Sequence, residues 1–193
     1  MPRNNFKYFA AYKPYGTLSQ FTDEENRPTL AGLFDFPKDV YPVGRLDVDS
    51  EGLLLLTNDK QLTDYLLNPV NKHEREYFVQ VEGDPKEDDL KKLRNGVTIK
   101  NFKTLPAKVK LISQPGLPPR IPPIRERKTI PVSWLSVILV EGKNRQVRRM
   151  TASIGFPTLR LIRVRIKNIL LKNMLPGEVR ELNKEEISGL KKK

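Results

Sequence analysis

The sequence predicts an α+β protein, in which short strands outnumber helices and fold into one compact unit with a cleft. Three observations carry that expectation. At 193 residues the chain is long enough to bury a real core, as one large domain or as two small lobes packed together. Short segments of strand character recur along its whole length between Pro, Gly and Asn turns, while segments of helical period are few. The longest apolar runs, residues 53–56 and 135–140, fall far short of the roughly 18 residues needed to span a bilayer.

Residues 6–13 are rich in aromatic side chains and end at Pro14-Tyr15-Gly16, which predicts a strand entering a turn. Residues 40–43 and 53–57 are the next two strands. Four consecutive leucines in the second lack alternation, so this strand is expected in mid-sheet, covered on both faces. Asp47 falls in the loop between them. Asn58 or Asp59 can cap a helix over residues 60–67, where Leu62, Tyr65 and Leu66 share one face and Asn68-Pro69 forces the stop. Residues 77–81 alternate as a half-buried strand. Asp84-Pro85, followed by Glu87, Asp88 and Asp89, opens a helix that reaches Arg94 and closes at Asn95-Gly96.

Strands over 97–100 and 107–112 lead into residues 113–133, which hold six of the sixteen prolines together with Arg120, Arg125, Arg127 and Lys128. Such a composition predicts a stiff basic excursion outside the core. Residues 134–141 are strand-like, Gly142-Lys143-Asn144 turns, and residues 145–154 form a helix capped by Asn144. On that helix Val147, Met150, Thr151 and Ile154 make a core face, and Arg145, Arg148 and Arg149 make a face offered to a ligand. A strand over 159–167, a turn at Pro176-Gly177 and a last strand over 179–182 precede a charged helix or tail at 184–193. No internal repeat is visible.

The charge balance bounds the partners. Lys and Arg number 35 against 23 Asp and Glu, a formal net charge of +12, which favours a polyanion and nucleic acid above all. The N-terminal residues carry no apolar stretch and no small-residue cleavage site, so no secretion signal is expected and the cytoplasm is the expected compartment. Cysteine is absent, which removes disulfides, thiolate nucleophiles and every zinc site built on sulfur.

Most catalytic arrangements have no foothold here. His73 is the single histidine, and within Asn71-Lys72-His73-Glu74-Arg75 it reads as a solvated loop residue rather than part of a Ser-His-Asp triad. There is no phosphate-binding glycine loop. Asp47-Val48-Asp49-Ser50-Glu51-Gly52 imitates the opening of a calcium loop, but leucines follow and Asn58 stands where a bidentate Glu is needed, so no metal is expected. Residues 143–167 hold Lys143, Arg145, Arg148, Arg149, Arg160, Arg163, Arg165 and Lys167 with no acid among them. Such a stretch repels itself until phosphate neutralises it, which predicts salt-sensitive RNA binding, although a solvated basic face would look the same. An Asp near arginines is normally a salt bridge, and the spacing around Asp47 alone does not decide between that and catalysis.

The run from Gly44-Arg45-Leu46-Asp47 through Glu51-Gly52-Leu53-Leu54-Leu55-Leu56-Thr57-Asn58-Asp59 resembles the active-site signature of the RsuA-type pseudouridine synthases. Lys13-Pro14-Tyr15-Gly16 resembles the first motif of that family, and Glu141-Gly142-Lys143-Asn144-Arg145-Gln146-Val147-Arg148-Arg149-Met150 its third. Residues 161–166 and 175–182 match its closing strands, so the similarity covers nearly the whole chain. Members commonly begin with a small S4-type RNA-binding domain, for which no room precedes Lys13. The proline-rich stretch before Trp134 is similar to the insertion of a short subgroup that acts on large-subunit (23S) ribosomal RNA. The resemblance therefore implies residues 1–193 as a single catalytic domain of two sub-lobes. Arg75 replaces the family's usual Lys and Lys60 its frequent Gly; the first keeps its charge, and the second is expected on a helix surface.

The resemblance implies a mixed, mostly antiparallel sheet with flanking helices and two lobes around a central active-site cleft. It implies isomerisation of a uridine to pseudouridine, with no metal and no organic cofactor; a monomer without an obligate protein partner is expected. By the same resemblance Asp47 is the catalytic carboxylate, attacking ribose C1′ or removing the C2′ proton, and a neighbouring arginine favours its charged form. Arg148 would pair with it through a forked guanidinium, Tyr77 would stack on the target uracil, and Arg45 would hold backbone or the flipped nucleotide. Lys13, Lys143, Asn144, Arg145, Arg149, Arg163, Arg165, Arg120, Arg125 and Arg127 are the candidate RNA contacts. Three rivals remain: a non-catalytic ribosome-assembly factor, the same chemistry on small-subunit or transfer RNA, and a DNA binder using the 145–154 helix.

Overall fold

The computed structural model describes residues 5–124 and 129–192, so Arg125 and Arg127 lie outside the described residues. The strands are β1 (Tyr8–Lys13), β2 (Tyr41–Pro42), β3 (Glu51–Thr57), β4 (Arg75–Glu82), β5 (Thr98–Ile99), β6 (Phe102–Lys103), β7 (Lys108–Ile112), β8 (Val132–Leu139), β9 (Thr158–Ile166), β10 (Ile169–Leu170) and β11 (Val179–Glu181). The helices are α1 (Lys60–Leu67), α2 (Glu87–Arg94), α3 (Gln146–Ser153) and α4 (Lys184–Lys191).

Among the described residues one nine-stranded sheet runs in the order β11-β1-β3-β9-β4-β8-β7, with β2 on β3 and β10 on β9. Its pairings are antiparallel except β3 with β9, which run parallel only where Glu51 and Gly52 face Ile162 and Arg163. This short seam joins two antiparallel halves, giving the mixed, mostly antiparallel α+β fold that was expected. A side chain at Gly52 would meet the Arg163 carbonyl oxygen at 2.3 Å, and its φ of +105° lies in the region that favours glycine, so the seam requires this residue.

Each half has its own core. Ala10, Tyr12, Leu53, Leu55, Leu62, Leu66, Ile162 and Leu190 bury one, under α1 and α4. Val79, Val81, Leu90, Leu93, Val109, Val137, Val147 and Met150 bury the other, under α2 and α3. Every residue of β3 is buried, as its unbroken leucines require of a strand covered on both faces. In β4 burial alternates, because its two faces meet different surroundings. The α1 helix starts where the Asp59 side chain accepts a hydrogen bond from Leu62 N at 3.0 Å, and Lys60 is exposed on its surface.

The structure departs from the sequence reading in several places. Two short hairpins, β5–β6 and β9–β10, turn at Lys100-Asn101 and Lys167-Asn168, where the lysines take φ of 54° and 50°. Neither turn contains the glycine that marks a hairpin in sequence. His73 is buried rather than solvated: its ring packs edge-on against Tyr65, and Nε2 lies 3.1 Å from the Tyr65 carbonyl. Arg145, not Asn144, occupies the cap position of α3, with a left-handed backbone at φ 51° and ψ 32°. Residues 184–191 are helix, opened by a reciprocal Asn183–Glu186 capping box. The proline-rich segment is not wholly outside the core, since Leu117 packs against it and the Pro118 carbonyl accepts a hydrogen bond from Arg160.

Candidate active site

A cleft of ≈ 620 Å³ opens where the two halves meet. Its walls come from the 18–20 turn, the 43–50 loop, the 139–147 loop and the sheet residues Arg75, Tyr77, Leu161 and Arg163. Asp47 belongs to these walls, with 29% of its side chain exposed.

The loop that carries Asp47 is fastened on both sides. Ser19 grips Leu46 twice: its hydroxyl donates to the Leu46 carbonyl at 2.9 Å and accepts from Leu46 N at 3.0 Å. One residue past Asp47, the Val48 carbonyl accepts from Gly16 N at 2.8 Å, and the Asp47 carbonyl accepts from Ser50 N at 3.0 Å. These anchors leave the Asp47 carboxylate as the free part of a rigid loop, the condition for precise placement of a reacting group. Beneath the turn, Lys13 donates to the carbonyls of Pro14 at 2.9 Å and Thr17 at 2.7 Å and is fully buried. Burial pulls its ammonium down to about 8, against the opposing charges of Glu51, Asp49 and Asp47. Lys13 is therefore a brace for the first turn and has no surface to offer RNA.

The carboxylates of the loop collect arginines from α3 and β9. Arg145 makes a forked pair with Asp49 at 2.9 and 2.7 Å, and its Nη1 stands 3.8 Å from Asp47 Oδ2. Arg148 was expected on Asp47, but it serves Asp49 instead. Its Nη2 donates to the Asp49 carbonyl at 2.6 Å, and its Nε lies 3.4 Å from Asp49 Oδ2 without the alignment of a hydrogen bond. The reason is the start of α3: the left-handed Arg145 folds its own side chain over the carboxylates, leaving Arg148 to reach the backbone behind them. Burial disfavours the ionised Asp49, yet the Arg145 hydrogen bonds and the nearby Arg148 and Arg145 charges outweigh it and hold the carboxyl below its ordinary value. Deeper still, Arg160 forks onto Glu51 at 2.8 and 2.8 Å, with side chains only 6% and 3% exposed.

Opposite the loop, β4 supplies Tyr77, which is buried and faces the cleft, and Arg75, which donates to the Leu66 carbonyl at 2.9 Å. Burial lowers the Arg75 guanidinium below its ordinary value, helped by Arg163 and opposed by Tyr77. Arg163 donates Nε to the Leu53 carbonyl at 2.8 Å, while its Nη2 is buried with no hydrogen-bond partner.

The basic stretch 143–167 is thus largely neutralised from within the fold. Asp49, Glu51, Glu74 and Glu76 reach it from other strands and loops, and Arg165 is held by Glu76 and Glu74 at 3.0 Å each. Arg165 is tied into the sheet by these acids rather than left open to RNA, whereas Arg163, bonded to the Leu53 carbonyl, reaches the cleft wall. The groups presented at the surface include Arg45, Lys143, Asn144, Arg145 and the partly exposed Arg149, which donates to Asn144 at 2.7 Å. Lys143 stands 4.0 Å over the Phe102 ring, and Arg120 lies 4.2 Å over the Tyr15 ring, joining the proline-rich segment to the first turn. Ser19, Asp49 and the Glu51–Arg160 pair had no place in the sequence reading; only the calcium-like spacing drew notice to Asp49.

A mixed sheet with a central cleft, an aspartate loop on one wall and a tyrosine strand on the other defines the pseudouridine synthase class. Residues 7–153 match the sequence profile described as RNA pseudouridylate synthase, and the chain belongs to this family. Ribosomal large subunit pseudouridine synthase E of Vibrio parahaemolyticus is 53% identical over 178 residues, which cover 92% of this chain and 74% of that relative. The protein of the same name from Xanthomonas campestris is 53% identical over 171 residues, covering 87% of this chain and 91% of its own. A solved pseudouridylate synthase superposes with a TM-score of 0.81 at 27% identity, over 98% of this chain and 76% of that one. No helix among the described residues is long and apolar enough to cross a membrane.

Proposed function

We propose that this chain converts a specific uridine of large-subunit (23S) ribosomal RNA to pseudouridine, with Asp47 as the reacting carboxylate. The observation that carries the reading is the placement of Asp47: a rigidly held, partly exposed carboxylate on the wall of a ≈ 620 Å³ cleft. A cleft of that size lies within the range that encloses a single small ligand, and a flipped nucleotide is one. The names of the relatives at 53% identity support the large-subunit substrate.

The reaction breaks the N1–C1′ bond, turns the uracil and joins C5 to C1′, with loss of the C5 proton and protonation of N1. Asp47 serves it either by attacking C1′ or by removing the C2′ proton; both begin from the ionised carboxylate. Tyr77 lines the opposite wall and offers its ring to the uracil. Arg45, Lys143, Asn144 and Arg145 on the cleft wall, with Arg149 beside Asn144 and Arg120 over Tyr15, supply positive or polar surface on which RNA phosphates offset the cost of unstacking the base, roughly a few kcal/mol. Arg148 acts on the loop through the Asp49 carbonyl. We take the catalytic unit to be one domain of two halves, working without metal or organic cofactor, as a monomer in the cytoplasm.

Nucleoside analysis of protein-free large-subunit RNA after incubation with the purified chain tests this. Pseudouridine at a single position is the expected product. Tight, salt-sensitive binding with no pseudouridine would instead mark an assembly factor, and modification of only small-subunit or transfer RNA would move the substrate.

A further inference from the structure

The β9 strand carries three arginines, and two of them are spent on carboxylates. Arg160 forks onto Glu51 at 2.8 and 2.8 Å, and Arg165 is shared between Glu76 and Glu74 at 3.0 Å each. Arg163 lies between them, only 5% exposed, and none of the described carboxylates pairs with it. Its Nε donates to the Leu53 carbonyl at 2.8 Å, while its Nη2 is sheltered from solvent and has no hydrogen-bond partner. A charged donor left unpaired inside a fold costs free energy, so one held on the wall of a cavity is accounted for when a ligand brings the acceptor. Arg163 lines the cleft, and its register partner on β4 is Tyr77.

On the uridine reading given above, we propose that Arg163 is a catalytic residue, which donates a hydrogen bond to a carbonyl oxygen of the target uracil and stabilises the negative charge the base gains as it leaves the ribose.

The chemistry defines what such a donor must do. When the N1–C1′ bond breaks, its electron pair goes to N1 and spreads by conjugation onto O2 and O4. Arg163 keeps its own proton throughout and meets this charge with a hydrogen bond. C5 then joins C1′, the C5 proton is lost and N1 is protonated. A cationic donor held in place and away from water favours the charged leaving group over the neutral nucleoside, which is the condition for accelerating the cleavage. Tyr77 offers its ring to the face of the uracil, and the carbonyls lie on the edge, so the two neighbours do not compete. Arg163 is also rigidly mounted. Its Nε is tied to Leu53, and its backbone packs against Gly52 at the parallel seam, where any side chain would meet the Arg163 carbonyl oxygen at 2.3 Å. Arg75 on the same wall adds to the positive field.

A base that leaves more readily should need Arg163 less. Large-subunit RNA is transcribed with uridine or with 5-fluorouridine, and single-turnover formation of the C-linked nucleoside at saturating RNA is measured for wild type, Arg163→Met and Arg163→Lys. Rates are normalised to folded protein by melting curves. Fluorine withdraws electrons and stabilises the departing uracil by itself; with no proton at C5 to lose, water adding across C6 and N1 completes that product. Arg163→Met is expected to slow the reaction about 100-fold on uridine and about 10-fold on 5-fluorouridine, with less than about a threefold change in half-saturating RNA concentration. Arg163→Lys keeps a charged donor and should recover part of the loss on uridine. Equal slowing on both bases, which a purely structural role at the seam would give, or a wild-type rate in Arg163→Met, overturns the assignment. Should Arg163→Met not fold, a crystal structure of wild type with the 5-fluorouridine RNA decides. An Arg163 nitrogen within hydrogen-bond distance of a uracil carbonyl supports the role, and a guanidinium bound to phosphate or out of reach of the base refutes it. Wild type inert toward both RNAs would overturn the uridine reading and this role with it, whereas an active wild type with an unaffected Arg163→Met removes Arg163 alone.

Discussion

Two acid–arginine clusters sit within five residues of one another, and they are built to opposite ends. Glu51 and Arg160 are enclosed, matched one to one and joined by two bonds of 2.8 Å, with Tyr12 beside them and its hydroxyl pushed by burial up to about 12. Asp47 lines the cleft and Asp49 follows two residues on, 29% and 28% exposed, beside two arginines whose close contacts go to Asp49. The Glu51 carboxylate is spent on Arg160, whose Nη2 also donates to the Pro118 carbonyl, which suits a framework at the β3–β9 seam. The second leaves one carboxylate without a close partner beside an open cavity, which suits chemistry. Closure of the hydrogen-bond inventory, rather than the mere presence of charge, separates the two.

The sharpest way to break the comparison is to exchange the consequences. Asp47→Asn should lower turnover by roughly 10³-fold or more, about 4 kcal/mol of transition-state stabilisation, with the melting temperature unchanged. Glu51→Gln should do the reverse. It strands a buried guanidinium, which costs about 3–5 kcal/mol of stability and lowers the melting temperature by roughly 10 °C, while the molecules that remain folded keep their activity. Thermal unfolding paired with activity per folded molecule reads both.

Lys13 offers a finer test of how the first turn is braced. Its folded-state value of about 8 lies below the 10.5 of the free side chain, so between those values the unfolded chain holds a proton that the folded chain has released. Stability carried by this group therefore rises with pH across that window, by up to about 3 kcal/mol. Urea unfolding at pH 7.5 and pH 10 should show the rise in wild type and a flatter response in Lys13→Met. The smallest effect expected is at the rim. Arg149→Ala should weaken RNA binding two- to threefold and reduce the salt-dependence slope by about one, with the chemical step untouched; binding titrations at several salt concentrations check it.

Much of the fold was legible where local physics decides. The α1 helix carries its bounds in Asp59 and Asn68-Pro69, β4 shows its half-buried state in alternation, and the leucines of β3 announce cover on both faces. The position of Asp47 in a loop between two strands was legible in sequence, and the structure sets that loop on the cleft wall. What could not be read was pairing across the chain. Residues 143–167 contain no acid, so they looked like a free phosphate-binding face; the acids that neutralise Arg145, Arg160 and Arg165 come from Asp49, Glu51, Glu74 and Glu76, which only the sheet order brings alongside. Lys13 reads as a surface cation until β1 is known to pair with both β3 and β11. Ser19 is one serine in a polar turn, and its double grip on Leu46 has no signature in sequence.

A reacting Asp47 and a buried, merely supporting Glu51 make opposite demands on activity. The most direct measurement is tritium release from C5-labelled uridine in large-subunit RNA, normalised to folded protein, for wild type, Asp47→Asn and Glu51→Gln. Release by wild type and by folded Glu51→Gln, with none from Asp47→Asn, is the predicted result. Release that survives in Asp47→Asn, or that disappears in fully folded Glu51→Gln, would contradict it.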